Sequence, residues 1–273
     1  MWGPFESNLI EKVHIGFLKE ILGVRKSTTN SFIYGELGEF PIEIEKNVRI
    51  IKYWLKLVRP HEINSKGTYV RALYGEMMGS LESGSICGNE WAKYVKNMLE
   101  RNGFGNIWID QQVRNEKVFI EEFRQRLQDC FTQKWRASLN ESTDNRLYKH
   151  IKEEFQYEMY LSFIGYSKFR IALTRIRLSS HCFMVERGRW KRPRMDFEQR
   201  LCSHCKVIED EYHCLVECIR YSDIRGKYLC RHLKKRPNVL KFIELLKCSE
   251  NTDINKLSIL CHKILVKYRE FYM

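Results

Sequence analysis

The sequence lacks long apolar runs: no stretch of 18 or more apolar residues occurs among its 273 residues. A helix that crosses a bilayer needs such a run. The segment MWGPFESNLIEKVHIGFLKEILG at positions 1–23 mixes acidic and basic residues with apolar ones, whereas a secretory signal peptide has an uninterrupted apolar segment. We therefore expect an intracellular protein of the nucleus or cytoplasm that is not secreted and has no membrane partner.

The sequence also lacks the short motifs of several enzyme classes. It has no Gly-x4-Gly-Lys-Ser/Thr phosphate loop, no Gly-x-Ser-x-Gly turn and no His-Glu-x2-His helix. No two aspartates are adjacent, although two-metal phosphoryl transfer needs clustered carboxylates. Ser180 and His181 are too close in sequence for a nucleophile and its base, which come from distant positions. We expect no catalytic residue, no small-molecule substrate and no enzymatic activity of this chain by itself.

Cysteine is abundant, with ten residues in the chain, and six of them lie singly: Cys87, Cys130, Cys182, Cys230, Cys248 and Cys261. An intracellular protein keeps such thiols reduced, so we expect no disulfide framework. Three other cysteines and one histidine follow the pattern Cys-x2-Cys-x7-His-x4-Cys, at Cys202, Cys205, His213 and Cys218. Three thiolates and one imidazole at these spacings are typical of a tetrahedral zinc site.

Four protein ligands leave no coordination position for water, so we expect the zinc to be structural and not catalytic. It would stabilise a charged segment that cannot build its own apolar core. We expect Asp210 to cap the turn that carries His213. Two alternatives remain open, since His204 lies between the first two cysteines and Cys214 adjoins His213, and either could replace a ligand.

Positive charge is concentrated in one quarter of the chain. The formal net charge is +13, and residues 168–236 contain 18 Lys and Arg against 8 Asp and Glu, a net of +10. Guanidinium groups form bidentate contacts with phosphate, and an exposed indole stacks on a base. We therefore expect nucleic-acid contacts, with RNA or DNA, from the basic residues around one tryptophan: Arg187, Arg189, Trp190, Lys191, Arg192, Arg194 and Arg200. The alternative is a solvated loop whose tryptophan anchors to the core.

Apolar residues recur at helical spacing along most of the chain, which predicts a mainly α fold: an irregular multi-helix assembly with a small zinc knuckle near the C-terminus. We expect a first helix with a single apolar stripe formed by Ile10, Val13, His14, Phe17, Leu18, Ile21 and Leu22, and then a connection over residues 27–40. Further helices are predicted at 41–58, 69–81, 89–103, 115–139, 144–159, 167–180, 238–249 and 253–268. No strand set is expected.

Several segments resemble the C-terminal region, beyond the polymerase palm, of non-LTR (LINE-like) retrotransposon reverse transcriptases. IEKVHIGFLKEILGV and YGELGEFPIEIEKNVRIIKYWLKL are similar to their thumb and connection segment. SSHCFMVERGRW is similar to the segment that leads into their knuckle, and RLCSHCKVIEDEYHCLVECIRYSDIR to their C-terminal zinc motif. The middle of the chain, from about 64 to 143, matches only in helical character.

This resemblance implies a zinc-stabilised, non-catalytic fragment that contacts template RNA or target DNA. The palm with its Phe/Tyr-x-Asp-Asp site and the endonuclease of full-length relatives are not in this sequence. Cys202, Cys205, His213 and Cys218 would be the ligands, and Arg187, Arg189 and Arg192 would contact phosphate. The remainder of a reverse transcriptase is then a further partner.

The combined sequence features predict four segments. Residues 1–60 form a thumb-like helical segment, 61–180 a helical connection, 181–236 the basic zinc-knuckle module and 237–273 the closing helices. An alternative function is a protein-interaction scaffold, in which the zinc turn and the apolar helix faces dock onto a polymerase or another partner.

Overall fold

The structure, a computed structural model, describes residues 7–58, 65–82, 90–141, 147–247 and 251–272. It is 74% helical, and the described residues contain no strand, which confirms the predicted mainly α class. The α-helices of these residues are α1 Ser7–Leu22, α2 Asn30–Leu37, α3 Ile42–Val58, α4 Ser65–Glu82, α5 Glu90–Arg101, α6 Gly105–Asp110, α7 Glu116–Glu141, α8 Tyr148–Ile151, α9 Tyr160–Phe163, α10 Ser167–Arg177, α11 Met184–Trp190, α12 Ser222–Tyr228, α13 Arg231–Lys234, α14 Val239–Lys247 and α15 Asn251–Tyr272. None of the described helices has the length and apolarity required to span a membrane.

Backbone contacts divide the chain into two compact units. The first comprises Met1–His14 and Phe40–Lys134, and the second comprises Ile15–Glu39 and Trp135–Met273. The four-segment division drawn from the sequence stays a prediction. The metal-ligand candidates and the basic residues all belong to the second unit.

The core of the first unit is aromatic. The rings of Trp54 in α3 and Trp108 in α6 stack with their centroids 5.8 Å apart. The Trp54 indole N–H donates to the hydroxyl of Tyr74 in α4 at 2.8 Å, and that hydroxyl donates to Oε1 of Gln111 at 2.6 Å. Phe119 of α7 packs into the same core. Large buried rings, with hydrogen-bond partners for the polar atoms of Trp54 and Tyr74, explain why these helices form a stable unit.

The first helix confirms the predicted period but not the single stripe. In α1 the side chains of Ile15, Leu18 and Leu22 are buried. Val13, Phe17 and Ile21, which the period assigned to the same stripe, are exposed. Periodicity specifies an apolar arc but not which part of that arc another helix covers. The apolar arc of α1 is wider than the part of the helix that the rest of the protein covers.

The connection predicted over residues 27–40 is wrong, because the structure forms α2 there. All residues from Phe32 to Glu36 are buried, including the carboxylate of Glu36. The helix ends at Gly38, which has a left-handed φ of 60°. A Cβ at this position would lie 2.4 Å from the backbone nitrogen of Tyr157, so glycine also permits close approach of a second backbone segment.

The helix predicted over 144–159 is also wrong. Asp144 and Asn145, its expected caps, lie outside the described residues. The chain forms only the single turn α8, becomes extended at Lys152, and resumes at α9. A buried ion network explains the interruption: Lys152 Nζ lies 2.5 Å from Glu158 Oε1, and Glu158 Oε2 lies 2.7 Å from Arg177 Nη2. Continuing the helix would separate these partners.

Helix α10 contributes Arg177 to this network. Arg177 is 1% exposed, and its Nε lies 2.6 Å from Glu36 Oε1. The helix packs against α15, and Leu173, Ile176 and Leu260 of this pair are completely buried. The other helices predicted from periodicity are confirmed as α3, α4, α5, α7, α14 and α15.

Candidate metal centre and basic surface

A short hairpin over residues 200–209 presents the first two cysteines. Leu201 and Ile208 form an isolated antiparallel bridge. The Cys202 N–H donates to the carbonyl of Val207 at 2.8 Å, and the Lys206 N–H donates to the carbonyl of Cys202 at 2.9 Å. Lys206 turns the chain with a left-handed φ of 60°. This tight turn holds Cys202 and Cys205 near each other.

A π-helical turn, His213–Glu217, presents the other two candidates. Its start is capped as predicted, because Asp210 Oδ1 accepts a hydrogen bond from the His213 N–H at 2.7 Å. The Cys218 N–H donates to the carbonyl of His213 at 2.7 Å. The wide turn, closed by this bond, brings His213 and Cys218 to the same side.

The four predicted ligands converge. Their candidate ligand atoms all lie within 4.8 Å of one another. Cys218 Sγ lies 3.7 Å from Cys205 Sγ and 3.9 Å from Cys202 Sγ, whereas a disulfide would require about 2 Å. Cys202, His213 and Cys218 are buried, and Cys205 is half-buried. These residues form a group that could hold a metal ion.

His213 gives the strongest indication that this group could hold an ion. Both ring nitrogens are buried and have no hydrogen-bond partner among the described residues. The nearest carboxylate oxygen, Glu217 Oε2, is 3.6 Å from Nδ1, beyond hydrogen-bond distance. Burial raises the pKa of the Cys218 thiol to about 12. A bound cation would satisfy the imidazole and stabilise the thiolates, so the residues fit a metal.

The alternative ligands lie elsewhere. His204 is exposed on the hairpin. Cys214 is buried, and burial raises its pKa well above the ordinary value, but its sulfur does not belong to the converging group. The described cysteines outside the group, including Cys130, Cys182, Cys230 and Cys261, are free thiols, as expected. Cys87 and Cys248 lie outside the described residues.

The hairpin is fastened to α11, the helix that carries the basic residues. Glu209 accepts hydrogen bonds from the backbone N–H of Met184 at 2.8 Å, and its own carbonyl accepts from Val185 at 3.1 Å. Arg200 Nη1 donates to the carbonyl of Val185 at 2.9 Å. Arg200 also packs over Gly188, where a Cβ would lie 2.7 Å from its side chain. The orientation of α11 therefore depends on the hairpin.

The C-terminal helix α15 secures the same elements. The Tyr268 hydroxyl donates to Glu209 Oε2 at 2.7 Å. The Tyr272 hydroxyl accepts from Arg220 Nη1 at 2.9 Å and lies 2.5 Å from the hydroxyl of Ser203 in the hairpin. The guanidinium of Arg187 lies 5.7 Å from the centroid of the Tyr272 ring, in a cation–π arrangement. One tyrosine thus contacts both the hairpin and α11.

The structure exposes most of the predicted nucleic-acid contacts. Trp190 is 58% exposed at the end of α11, and Lys191, Arg192 and Arg194 are exposed in the loop that follows. The Met195 N–H donates to the carbonyl of Gly188 at 3.0 Å and folds this loop back onto the helix. We call the exposed surface formed by Trp190, Lys191, Arg192 and Arg194 the basic ridge.

The other three predicted contacts are more enclosed. Arg187 is half-buried against Tyr272, and Arg189 Nη1 lies 2.9 Å from Glu186 Oε1. Arg200 is only 5% exposed, and its guanidinium donates to the carbonyls of Met195 and Val185. Arg200 therefore supports the ridge from inside.

Sequence reasoning missed Arg25, which lies between α1 and α2 and lines two cavities together with Trp190. Its Nη2 donates to the carbonyl of His181 at 2.5 Å, and its backbone N–H donates to Ser180 Oγ at 2.8 Å. No local pattern connects a residue so far from the ridge in sequence to this surface. Only the tertiary fold places it there.

Comparisons of this chain with protein-family models, with curated proteins and with solved structures found no match.

Proposed function

We propose that Cys202, Cys205, His213 and Cys218 bind a structural zinc ion. Four ligands around zinc at 2.3 Å metal–sulfur bonds place neighbouring sulfurs about 3.8 Å apart. The Cys218 sulfur lies 3.7 and 3.9 Å from its two neighbours. Zinc would hold its four ligands in a tetrahedral arrangement and has no redox chemistry. The set of four protein ligands supports a structural role.

We further propose that this zinc-stabilised region binds nucleic acid and is not catalytic by itself. The observation that carries the proposal is the basic ridge: an exposed indole at the end of α11, followed by three exposed cations in the next loop, with α11 hydrogen-bonded to the hairpin of Cys202 and Cys205. None of these three cations, Lys191, Arg192 and Arg194, forms an ion pair with the described part of the chain. Cations not paired internally are available to phosphate.

The metal and the ridge act together in this proposal. Zinc would hold the hairpin, the hairpin holds Arg200 and Glu209, and these two residues hold α11 by its backbone. A surface fixed before binding loses less conformational entropy when it meets its ligand. The resemblance to retrotransposon reverse transcriptases supports RNA or DNA as the ligand, and the remainder of such a polymerase as a further partner.

Salt dependence of binding tests the proposal. Each neutralised phosphate releases counterions, so affinity of the full chain for a nucleic acid falls steeply as salt rises. With four or five phosphate contacts we expect a loss of about a hundredfold between ~50 and ~200 mM salt. The measurement is a filter-binding or fluorescence-anisotropy titration at several salt concentrations.

A charge-removal variant localises the binding. Replacing Lys191, Arg192 and Arg194 by Gln should weaken binding and flatten its salt dependence, because fewer phosphates are neutralised and fewer counterions are released. The matched control replaces three other exposed cations of the second unit, Lys227, Arg231 and Lys235, by Gln. Equal losses in both variants, or affinity that does not change with salt, would contradict the proposal.

A protein-interaction scaffold is the second candidate, and α1 favours it. Leu9, Val13, Phe17 and Ile21 recur every four residues on this helix and are 48–74% exposed. An exposed apolar stripe of this kind marks a surface for a protein partner. The ridge variant separates the candidates, because it removes nucleic-acid binding but leaves docking through α1 unchanged.

A further inference from the structure

Two cavities adjoin at the tryptophan of the basic ridge. The first has a volume of about 200 Å³, and its lining includes Arg25, Thr28, Thr29, Arg189, Trp190 and Arg194. The second has a volume of about 350 Å³ and is lined by Arg25, Ser27, Arg187, Trp190 and Lys191. Trp190, Arg25 and Ser27 belong to both linings, so the two cavities form one cleft with the indole between its halves.

The chemistry of the cleft is cationic and hydroxylic. Arginines line both halves, and the single carboxylate of the linings, Glu186, is 6% exposed and paired with Arg189 at 2.9 Å. Three residues with hydroxyl groups, Ser27, Thr28 and Thr29, also line the first half. Cations and hydroxyls are donors for phosphate oxygens, and the indole offers an aromatic face.

The wall opposite the ridge is held in place. Arg25 is fixed through its backbone N–H to Ser180 Oγ at 2.8 Å, and Thr28 Oγ1 donates to the same oxygen at 3.3 Å. Arg25 Nη2 donates to the carbonyl of His181. Because Ser180 and His181 hold Arg25 and Thr28, this side of the cleft loses little conformational freedom when a ligand binds.

We propose that this cleft binds one unpaired nucleotide of a single-stranded nucleic acid. Its base stacks on Trp190, and the phosphates on either side contact Arg25 with Arg194 in one half and Lys191 in the other. In a duplex the base faces are covered by neighbouring pairs, so an exposed indole that lines a cleft suits an unpaired base. The inference rests on the proposed nucleic-acid binding and names the form of nucleic acid that is bound.

Trp190→Ala tests the stacking contact, because it removes the ring but no charge. Affinity of the full chain is measured for a short single strand, in deoxyribose and ribose forms, and for the duplex of the same sequence. We expect the variant to bind at least one single strand about tenfold more weakly, and the duplex nearly unchanged. The wild-type chain should bind a single strand with one abasic position more weakly than the intact strand. The variant should bind these two strands with equal affinity.

Arg25→Gln tests the phosphate contact on the far wall. The salt slope for the single strand should decrease by about one phosphate contact. Arg231→Gln removes an exposed arginine of the same unit that lines neither cavity and should leave the slope unchanged. Equal thermal unfolding midpoints of the two variants establish that the fold is intact. If Arg25→Gln unfolds the loop, Arg25→Lys retains the charge and reports the loss of bidentate geometry.

Equal losses for single strand and duplex in Trp190→Ala would overturn the cleft, since the ridge would then contact only the backbone. The proposed nucleic-acid binding would survive that result. Complete absence of binding by the wild-type chain would instead remove the proposed function and, with it, the cleft. Indistinguishable slopes for Arg25→Gln and Arg231→Gln would remove Arg25 from the site.

Discussion

Arg177 and His213 are both buried in the second unit, yet their surroundings differ completely. Arg177 donates to Glu36 at 2.6 Å, to Glu158 at 2.7 Å and to the carbonyl of Leu246. His213 has no partner for either ring nitrogen among the described residues. A buried polar group without a partner costs several kcal/mol, so evolution of a stable fold normally supplies one.

This difference indicates which of the two regions is a candidate for binding a ligand. Around Arg177 every charge is matched within the chain, and burial, which would lower its pKa, is outweighed by Glu36 and Glu158, which raise it. Around His213 the neighbours are the thiols of Cys202, Cys205 and Cys218, and burial raises the pKa of the Cys218 thiol. The first region is complete as it stands. In the second, both ring nitrogens of His213 lack a partner among the described residues, and the four converging side chains could hold a metal ion.

Removing a counter-ion of Arg177 should have the largest effect on the thermal stability of the protein. Glu36→Gln leaves the Arg177 charge buried without its main counter-ion, and removal of one partner from a buried pair costs ~3–5 kcal/mol. Tyr160, whose hydroxyl lies 2.7 Å from Glu36 Oε1, would also lose a charged acceptor. We expect the thermal unfolding midpoint to fall by about 10 °C, measured by circular dichroism.

Glu153→Gln is the matched control for that variant. Glu153 forms an ion pair with Lys247 but its side chain is 71% exposed. Water screens such pairs, so the midpoint should hardly change. Equal midpoints for Glu36→Gln and wild type would mean that the buried ion network around Arg177 does not stabilise the fold.

Removing one candidate ligand of the group around His213 should release the metal and loosen the structure only near that group. Cys218→Ser removes the thiol that contacts both other sulfurs, so the purified protein should lose its zinc. Native mass spectrometry measures the metal content. Hydrogen exchange should accelerate over residues 181–236 and remain slow in α3, where Trp54 is fully buried.

Cys214→Ala provides the control, since this cysteine is equally buried and adjoins His213 but lies outside the converging group. It should retain a full complement of zinc. A wild-type protein purified without metal, or a Cys218→Ser variant with unchanged zinc content, would refute the metal site.

The same comparison explains how much the sequence could predict. The convergence of the four candidate metal ligands could be predicted because their residue types and spacing are local, within 17 residues. Helices such as α3 and α15 could be identified because the apolar period persists over many turns. Both signals are contained in one continuous segment.

The features that the sequence did not reveal depend on distant partners. Helix α2 and the break after α8 are determined by Glu36, Glu158 and Arg177, which lie far apart in sequence and meet only in the fold. Arg25 reaches the ridge in the same way. Charged residues normally indicate solvent exposure, so a buried ion network contradicts the pattern from which it would have to be recognised.

Tyr272→Phe should have the smallest of these effects. It tests whether α15 helps to hold the hairpin that carries Cys202 and Cys205. The variant keeps the ring over which Arg187 lies but removes the hydroxyl that contacts Arg220 and Ser203. The two lost hydrogen bonds are partly exposed to water and together cost about 1 kcal/mol, so zinc should pass from the protein to a chelator about fivefold faster. Tyr228→Phe is the control, since the Tyr228 hydroxyl has no hydrogen bond to the described residues. Equal rates in the two variants would show that the metal hairpin is held by its ligands alone, and that α15 contributes packing without restraining the site.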